Sequence, residues 1–393
     1  MKVAVVIERA DIALGGAERS AFELAAALQD SGLEAHIVTA KGDTKANNVH
    51  ILCRNSPGKR TCYFTFASAL KRHLAENHYD IIHSFLPFDF ADVYQPRGGS
   101  FAESILRSAA SYQNKLLESY KRITAFANFR RTLLFRAERK LCNNPGGPLI
   151  VALSEYVARQ FKQHYGLDGQ RIVVIPNGIK IHSQVDTSEA RKLRAQIMTQ
   201  LGIKETDDSV LFLFVANNFR LKGLAVLIKA MHLTTERNAS CPAYLIVAGS
   251  DRAYKYRKLA GKLNVHKRMT FLGFIPDIEN VLSMTDVAVL PTFYDPSSRF
   301  ILEAIVANKP VVTTKFNGAT DLFIDGRHGR VIDSPEDIGG LAEVITYFTN
   351  ADNIKKASEA IVTDNLKEKI SISRVAKQLI SVYESILEKG RQQ

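Results

Sequence analysis

The chain has 393 residues, 46% of them hydrophobic, which is enough for two or three domains with their own cores. Four scattered cysteines, Cys53, Cys62, Cys142 and Cys241, form no CxxC pair, which argues against a disulfide framework or a zinc site and fits a reducing compartment. The formal net charge of +12 predicts attraction to polyanions, whether nucleotides, nucleic acid or an anionic membrane face.

Val3-Ala4-Val5-Val6-Ile7 has the composition of a central strand, and Glu8-Arg9 ends it too soon for a signal peptide. No apolar run elsewhere reaches membrane-spanning length, so a cytoplasmic protein is expected. After the loop 9–14, Gly15-Gly16-Ala17-Glu18-Arg19 opens a helix whose apolar face carries Phe22, Leu24, Ala25 and Leu28. Glycines there let backbone approach a ligand, and a helix N-terminus favours an anion. A plain tight turn explains the pair equally well, and the spacing is not GxGxxG. Strands at 35–39, 49–53 and 81–83 follow, with a helix at 62–76. Such alternation predicts an open, doubly wound parallel sheet, with ligands beyond the carboxyl ends of the strands. The loop 85–100, containing Asp89, Asp92, Tyr94, Arg97 and Gly98-Gly99, is therefore expected to line a cleft.

Residues 104–141 differ in character. Nine basic residues, among them Lys121, Arg122, Arg130 and Arg131, stand against Glu118 and Glu138, interleaved with Tyr112, Tyr120, Phe126, Phe129 and Phe135. One or two basic amphipathic helices are predicted, suited to an anionic membrane surface; a helix pair covering the sheet with a solvated basic side is the plainer reading.

A strand at 149–153, a helix at 155–164 capped by Ser154 and a strand at 172–175 close this sheet, and Pro176-Asn177-Gly178-Ile179 marks a domain boundary. After a helix near 190–201, a second alternating unit runs through strand 210–215, helix 225–231, strand 244–248, helix 254–263, strand 269–272 and helix 279–284. Val287-Ala288-Val289-Leu290 then ends at Pro291, and Ile301, Leu302, Ile305 and Val306 recur at helical spacing. The backbone N–H groups of Ser298, Arg299 and Phe300 are expected to point out at the sheet edge as a phosphate site, with Glu303 placed to accept from a ribose diol. An ordinary capped helix with a surface Glu is the plain alternative. Amphipathic helices at 353–365 and 375–389 end the chain. The expected fold class is α/β, two doubly wound Rossmann-like domains facing a central cleft. The expected division is 1–178 with its insertion at 104–141, 179–372, and a helix 373–393 returning to the first domain.

Gly15-Gly16-Ala17-Glu18, the Ser154 helix start, Pro176-Asn177-Gly178-Ile179, Lys222-Gly223, Ala248-Gly249, Leu272-Gly273 and the segment 295–303 fall in one order and spacing. With them the chain resembles the family-four retaining glycosyltransferases of the GT-B architecture over nearly its whole length. Within that family it resembles the lipopolysaccharide core glucosyltransferase type, through Asp92-Val93-Tyr94 and the basic aromatic insertion, a membrane-interacting region in that type. The resemblance implies a nucleotide diphosphate sugar donor held mainly by the second domain. Lys222 would neutralise diphosphate charge with Arg220 as helper, the N–H groups of Ser298, Arg299 and Phe300 would hold the same phosphates, and Glu303 the ribose. Gly15 and Gly16 would approach the donor from the first domain, and Gly273-Phe274-Ile275 would wall the base.

Five positions depart from the family pattern. Asp295 stands where the family has Glu, Ser297-Ser298 replaces Phe-Gly, Asn217 replaces a phosphate-binding Arg, and Gly98 follows Arg97 where that type has an acidic residue. The expected catalytic set is thus Asp295, Lys222, Arg220 and Arg97, with Asn217 in the donor site and Asp89 and Asp92 the nearest replacements for a first-domain carboxylate. The expected function is retaining transfer of a hexose, glucose from UDP-glucose, to a lipid-linked or cell-envelope glycan such as lipopolysaccharide core. No cofactor or obligatory metal is expected. The expected partners are the donor, a glycan or glycolipid acceptor and an anionic membrane surface on the inner face of the cell membrane, not nucleic acid. The competing readings are a non-catalytic membrane or nucleic-acid binder on the same scaffold, and a nucleotide-sugar epimerase.

Overall fold

The computed structural model describes residues 1–11, 16–44, 46–54, 60–181, 187–203, 208–275 and 278–391. They form two compact units, one of Met1–Ala109, Leu116–Lys180 and Ile370–Gln393, the other of Ala110–Lys115 and Ile181–Lys369.

The first unit is built on seven parallel strands, β1 (Lys2–Ala10), β2 (Glu34–Gly42), β3 (Val49–Ile51), β4 (Ile81–Ser84), β5 (Val93–Tyr94), β6 (Leu149–Ala152) and β7 (Ile172–Val174), in the order β3-β2-β1-β4-β5-β6-β7. Its helices are α1 (Gly16–Asp30), α2 (Tyr63–Glu76), α3 (Phe101–Ala110), α4 (Lys115–Thr124), α5 (Phe129–Asn143) and α6 (Glu155–Tyr165). The unbroken apolar run of β1 is explained by burial on both faces. Val3, Val5 and Ile7 pack against Leu24 and Leu28 of α1 and against Leu379 and Tyr383 of the last helix, Ile372–Arg391. Ala4 and Val6 face Phe66 and Leu70 of α2. Ser154 caps α6 by accepting from the N–H of Val157 at 3.2 Å. At the turn 176–179 the chain leaves this unit beside the point where it returns. Ile179 N–H donates to the Ile370 carbonyl and Ile372 N–H to that of Ile179, both at 3.0 Å. A Cβ on Gly178 would lie 2.7 Å from the Cα of Ile372, so this crossing needs glycine.

The second unit carries six parallel strands, β8 (Val210–Val215), β9 (Ala243–Ala248), β10 (Met269–Gly273), β11 (Val287–Leu290), β12 (Val311–Thr314) and β13 (Gly329–Ile332), in the order β10-β9-β8-β11-β12-β13. Helices α7 (Thr187–Leu201), α8 (Leu224–Arg237), α9 (Tyr254–Lys262), α10 (Ile278–Met284), α11 (Arg299–Val306), α12 (Ile338–Tyr347), α13 (Ala351–Thr363) and α14 (Leu366–Lys369) complete it. Four elements were not legible from sequence pattern. β5 is two residues long inside what reads as a loop, β13 is interrupted by Arg330, α12 holds Gly339-Gly340, which lowers helix propensity, and α14 is a single four-residue turn.

The basic insertion is three helices and a 3₁₀ turn rather than one or two helices. α5 roots it in the first unit, with Leu141 and Cys142 packed among Tyr94, Ile150 and Phe161. α4 buries none of its residues, and Leu116, Ile123 and Phe129 are 85%, 76% and 74% exposed. No described helix is long and apolar enough to cross a membrane. At the root, the fully buried carboxylate of Glu138 accepts from Tyr94 Oη at 2.9 Å, from the Phe101 N–H at 2.8 Å and from Tyr165 Oη. Burial outweighs those three donors and pushes its pKa from 4.5 up to about 7. Between those values the folded chain holds a proton that the unfolded chain has lost, so this group's stabilising contribution is present at low pH and fades as pH rises through the window. The loss amounts to on the order of 3 kcal/mol. Glu138→Gln is expected to remove that slope, read as urea-unfolding free energies at pH 5 and pH 8; parallel pH profiles for the two proteins would contradict it.

Candidate functional site

A doubly wound sheet opens a crevice where its strand order reverses, because the helices after the two neighbouring strands depart to opposite faces. In the second unit that place lies between β8 and β11, so the loops 216–223 and 291–298 leave the sheet side by side. The first loop is a tight turn, with Lys222 N–H donating to the Asn218 carbonyl and Gly223 N–H to that of Arg220. Phe293 N–H donates to the Leu221 carbonyl at 2.9 Å and joins the loops. Gly223 has φ +83°, and a Cβ there would lie 2.0 Å from the Pro291 carbonyl oxygen. Glycine is therefore what allows α8 to begin against the end of β11. This places Lys222 Nζ 2.6 Å from Asp295 Oδ2 and 2.9 Å from the Tyr294 carbonyl, in a largely buried ion pair.

Asp295 also accepts from the Ser297 N–H at 3.2 Å. The turn that follows is set by Asn317, a fully buried residue the sequence reading did not single out. Its Oδ1 accepts from the N–H groups of Ser298 and Ala319 at 3.2 and 3.1 Å, and its Nδ2 donates to Thr313 Oγ1 at 3.0 Å. The Ser298 N–H expected to meet a phosphate is therefore used inside the protein. Arg299 and Phe300 begin α11 as expected. Arg299 Nε lies 2.8 Å from Glu303 Oε1, one turn along the helix, with both side chains mostly buried.

Arg220 stacks on Tyr112, its guanidinium carbon 4.0 Å from the ring centroid, and Nη1 donates to Ser111 Oγ. Lys229 Nζ donates to Gln113 Oε1 at 3.2 Å. These contacts explain why Ala110–Lys115 belongs to the second unit although the sequence reading assigned all of 1–178 to the first. Asn217 Oδ1 accepts from Ser250 Oγ at 3.2 Å. Phe274, largely exposed, borders a pocket of about 510 Å³ at the end of β10, lined also by Glu189, Lys192, Gln196, Leu272 and Asn280.

In the first unit, Gly15 lies outside the described residues, and Gly16 is exposed at the start of α1. Arg97 lies 4.4 Å from the Phe85 ring centroid and donates through Nη1 to Asn177 Oδ1 in the turn 176–179. The two carboxylates expected as first-domain replacements are engaged elsewhere. Asp89 pairs with Lys140 at 2.8 Å, which lowers its pKa. Asp92 accepts from the Ile82 N–H at 2.7 Å, at the amino edge of β4 and β5, and its burial raises its pKa. Asp92 therefore sits at the edge opposite the one where ligands of such sheets bind.

The family model for glycosyltransferase family 4 matches residues 14–183, and that for glycosyl transferases group 1 matches residues 195–363. The chain belongs to these glycosyltransferases. It is similar to the lipopolysaccharide glucosyltransferase WaaG of Escherichia coli K12, with 25% identity over 341 residues, covering 84% of this chain and 85% of that protein. The crystal structure of WaaG, involved in lipopolysaccharide biosynthesis, superposes with a TM-score of 0.68 at 22% identity, over 99% of this chain and 98% of its own. Anabaena HepE in complex with UDP-glucose gives 0.70 at 19% identity, over 98% and 100%. The two parallel sheets with interleaved helices are the GT-B fold.

In this glycosyltransferase the Asp295–Lys222 corner depends on Asn317, whose place in an Asn-Gly pair after a strand marks a turn but not its partners. Asn317→Ala would leave two buried N–H groups unsatisfied and is expected to cost about 2–4 kcal/mol. The urea midpoint measures it, and an unchanged midpoint would show that the turn holds without this side chain.

Proposed function

We propose that this glycosyltransferase transfers glucose from UDP-glucose, with retention of anomeric configuration, to a glycan or glycolipid of the cell envelope. The observation that carries this reading is the Lys222–Asp295 ion pair beside the start of α11, at the strand-order reversal of the second sheet. A bound diphosphate would bring its charge to Lys222, and positive charge fixed there stabilises the leaving group as the C1–O bond breaks. Asp295, one methylene shorter than the Glu of the family pattern, serves to hold that ammonium in place. Glu303, steadied by Arg299, is the acceptor for a ribose diol. The loop at Phe274 and its pocket would take the base. In the retaining step the acceptor oxygen bonds to C1 on the face the diphosphate leaves, and its proton passes to the departing phosphate oxygen. The WaaG likeness and the UDP-glucose complex of HepE support the choice of sugar and base.

The exposed row Leu116, Tyr120, Ile123, Phe126 and Phe129, set among Lys115, Lys121 and Arg122, supports docking on an anionic membrane surface, where the acceptor would reside.

UDP-glucose is expected to raise the melting temperature by mass action, with EDTA present, and Lys222→Ala to abolish the shift. Lys222→Ala and Glu303→Ala are both expected to lose transfer while remaining folded. An unchanged shift in Lys222→Ala, or stabilisation by another nucleotide class, would overturn the assignment. Ile123→Ser/Phe129→Ser should release the protein from phosphatidylglycerol vesicles without altering the UDP-glucose shift; retained sedimentation with vesicles would refute the docking face.

A further inference from the structure

The first sheet has its own strand-order reversal, between β1 and β4. β4 pairs with β1 as far as Val6, whereas β1 continues beside β2 to Ala10. Glu8 thus stands two residues past the end of β4, at the carboxyl edge where doubly wound sheets bind ligands. Its Oε2 accepts from Arg130 Nη2 at 2.7 Å and from Arg60 Nη1 at 3.1 Å. Arg130 comes from the first turn of α5, next to the exposed Phe129, and its Nη1 also reaches the Thr61 carbonyl at 3.2 Å. Among the described residues, one carboxylate therefore serves two guanidiniums. Arg9, on the same strand, is paired with Glu18 at 3.1 Å.

A second feature converges on the same place. Cys62 is the N-cap of α2, a helix of 14 residues, and it follows Thr61, whose carbonyl Arg130 reaches, so the positive end of the helix lies beside that arginine. The N–H groups of Thr65 and Phe64, and the Arg130 charge, lower the pKa of the Cys62 thiol. Arg130 itself is shifted down by burial and by the charges of Arg60 and Arg9, which an anion would relieve. Arg60 is 52% exposed and can receive a ligand.

We propose that Arg60 and Arg130, oriented by Glu8 at the start of α2, bind an anionic group, a phosphate or carboxylate, on the acceptor sugar. The acceptor class is thus a charged glycan rather than a neutral one. This assignment rests on the glycosyltransferase reading above. Guanidinium suits the task because its planar fork meets phosphate or carboxylate with paired hydrogen bonds.

The test titrates the full-length protein with glucose 6-phosphate, glucuronate and neutral glucose, followed by saturation-transfer NMR. Both anionic sugars are expected to bind, and glucose about tenfold more weakly, as loss of one charge-assisted pair implies. Arg60→Ala, at an exposed position that the fold tolerates, should weaken the anionic sugars several-fold, and Arg60→Ala/Arg130→Ala should bring them to the level of glucose. Lys222→Ala should leave them unchanged. Equal binding of charged and neutral sugars, no binding of any, or retained affinity in Arg60→Ala would overturn the assignment. Loss of binding in Lys222→Ala would place the probe in the second unit and also overturn it. Displacement of glucose 6-phosphate by phosphatidylglycerol vesicles would make a lipid headgroup the occupant and refute the acceptor role. Failure of the donor reading shows separately, as a missing UDP-glucose shift in the unaltered protein.

Discussion

Parallel strands cannot be joined by a hairpin, so every connection in both sheets must cross back over a face. In each sheet the order of crossing reverses once, beside β1 in the first and β8 in the second. That constraint produces a crevice in each unit, and the informative side chains collect there. Lys222 and Asp295 leave β8 and β11, and Glu8 projects past the end of β4. Neither group is close in sequence to its partner; both are brought together by strand order.

The departures from the family pattern become intelligible within that frame. Shortening Glu to Asp at 295 would weaken direct contact with a sugar, but the carboxylate meets Lys222 at 2.6 Å and holds the ammonium to which the proposed function brings the diphosphate. The Ser297-Ser298 pair is compatible with the turn because Asn317 takes the Ser298 N–H, so the turn does not depend on a glycine at that position. Arg220 stacks on Tyr112 and donates to Ser111 in the segment Ala110–Lys115.

The basic stretch divides physically into parts the sequence presents as one. α5 carries its apolar side into the core and delivers Arg130 to Glu8, whereas α4 keeps all its residues at the surface. The covering-helix reading therefore holds for α5, whereas the membrane-facing reading is a proposal confined to α4 and the exposed residues after it. Glu138 is the buried carboxyl group that joins α5 to α3 and α6, through the Phe101 N–H and Tyr165 Oη.

By itself the sequence determined the alternation of apolar strands with amphipathic helices, the motif order that marks the family, and the helix starts at Ser154 and Ser298. Those are local or periodic properties, set by spacing within one element. Short elements such as β5 escaped because two residues make no pattern. The fate of individual polar groups was decided by the tertiary structure. Asp92 reads as a catalytic replacement until the sheet puts it at the amino edge, bonded to Ile82. Arg130 reads as one charge among nine until the fold brings it 122 residues back to Glu8. A hydrogen bond or ion pair is a property of two positions, and only folding decides which two meet.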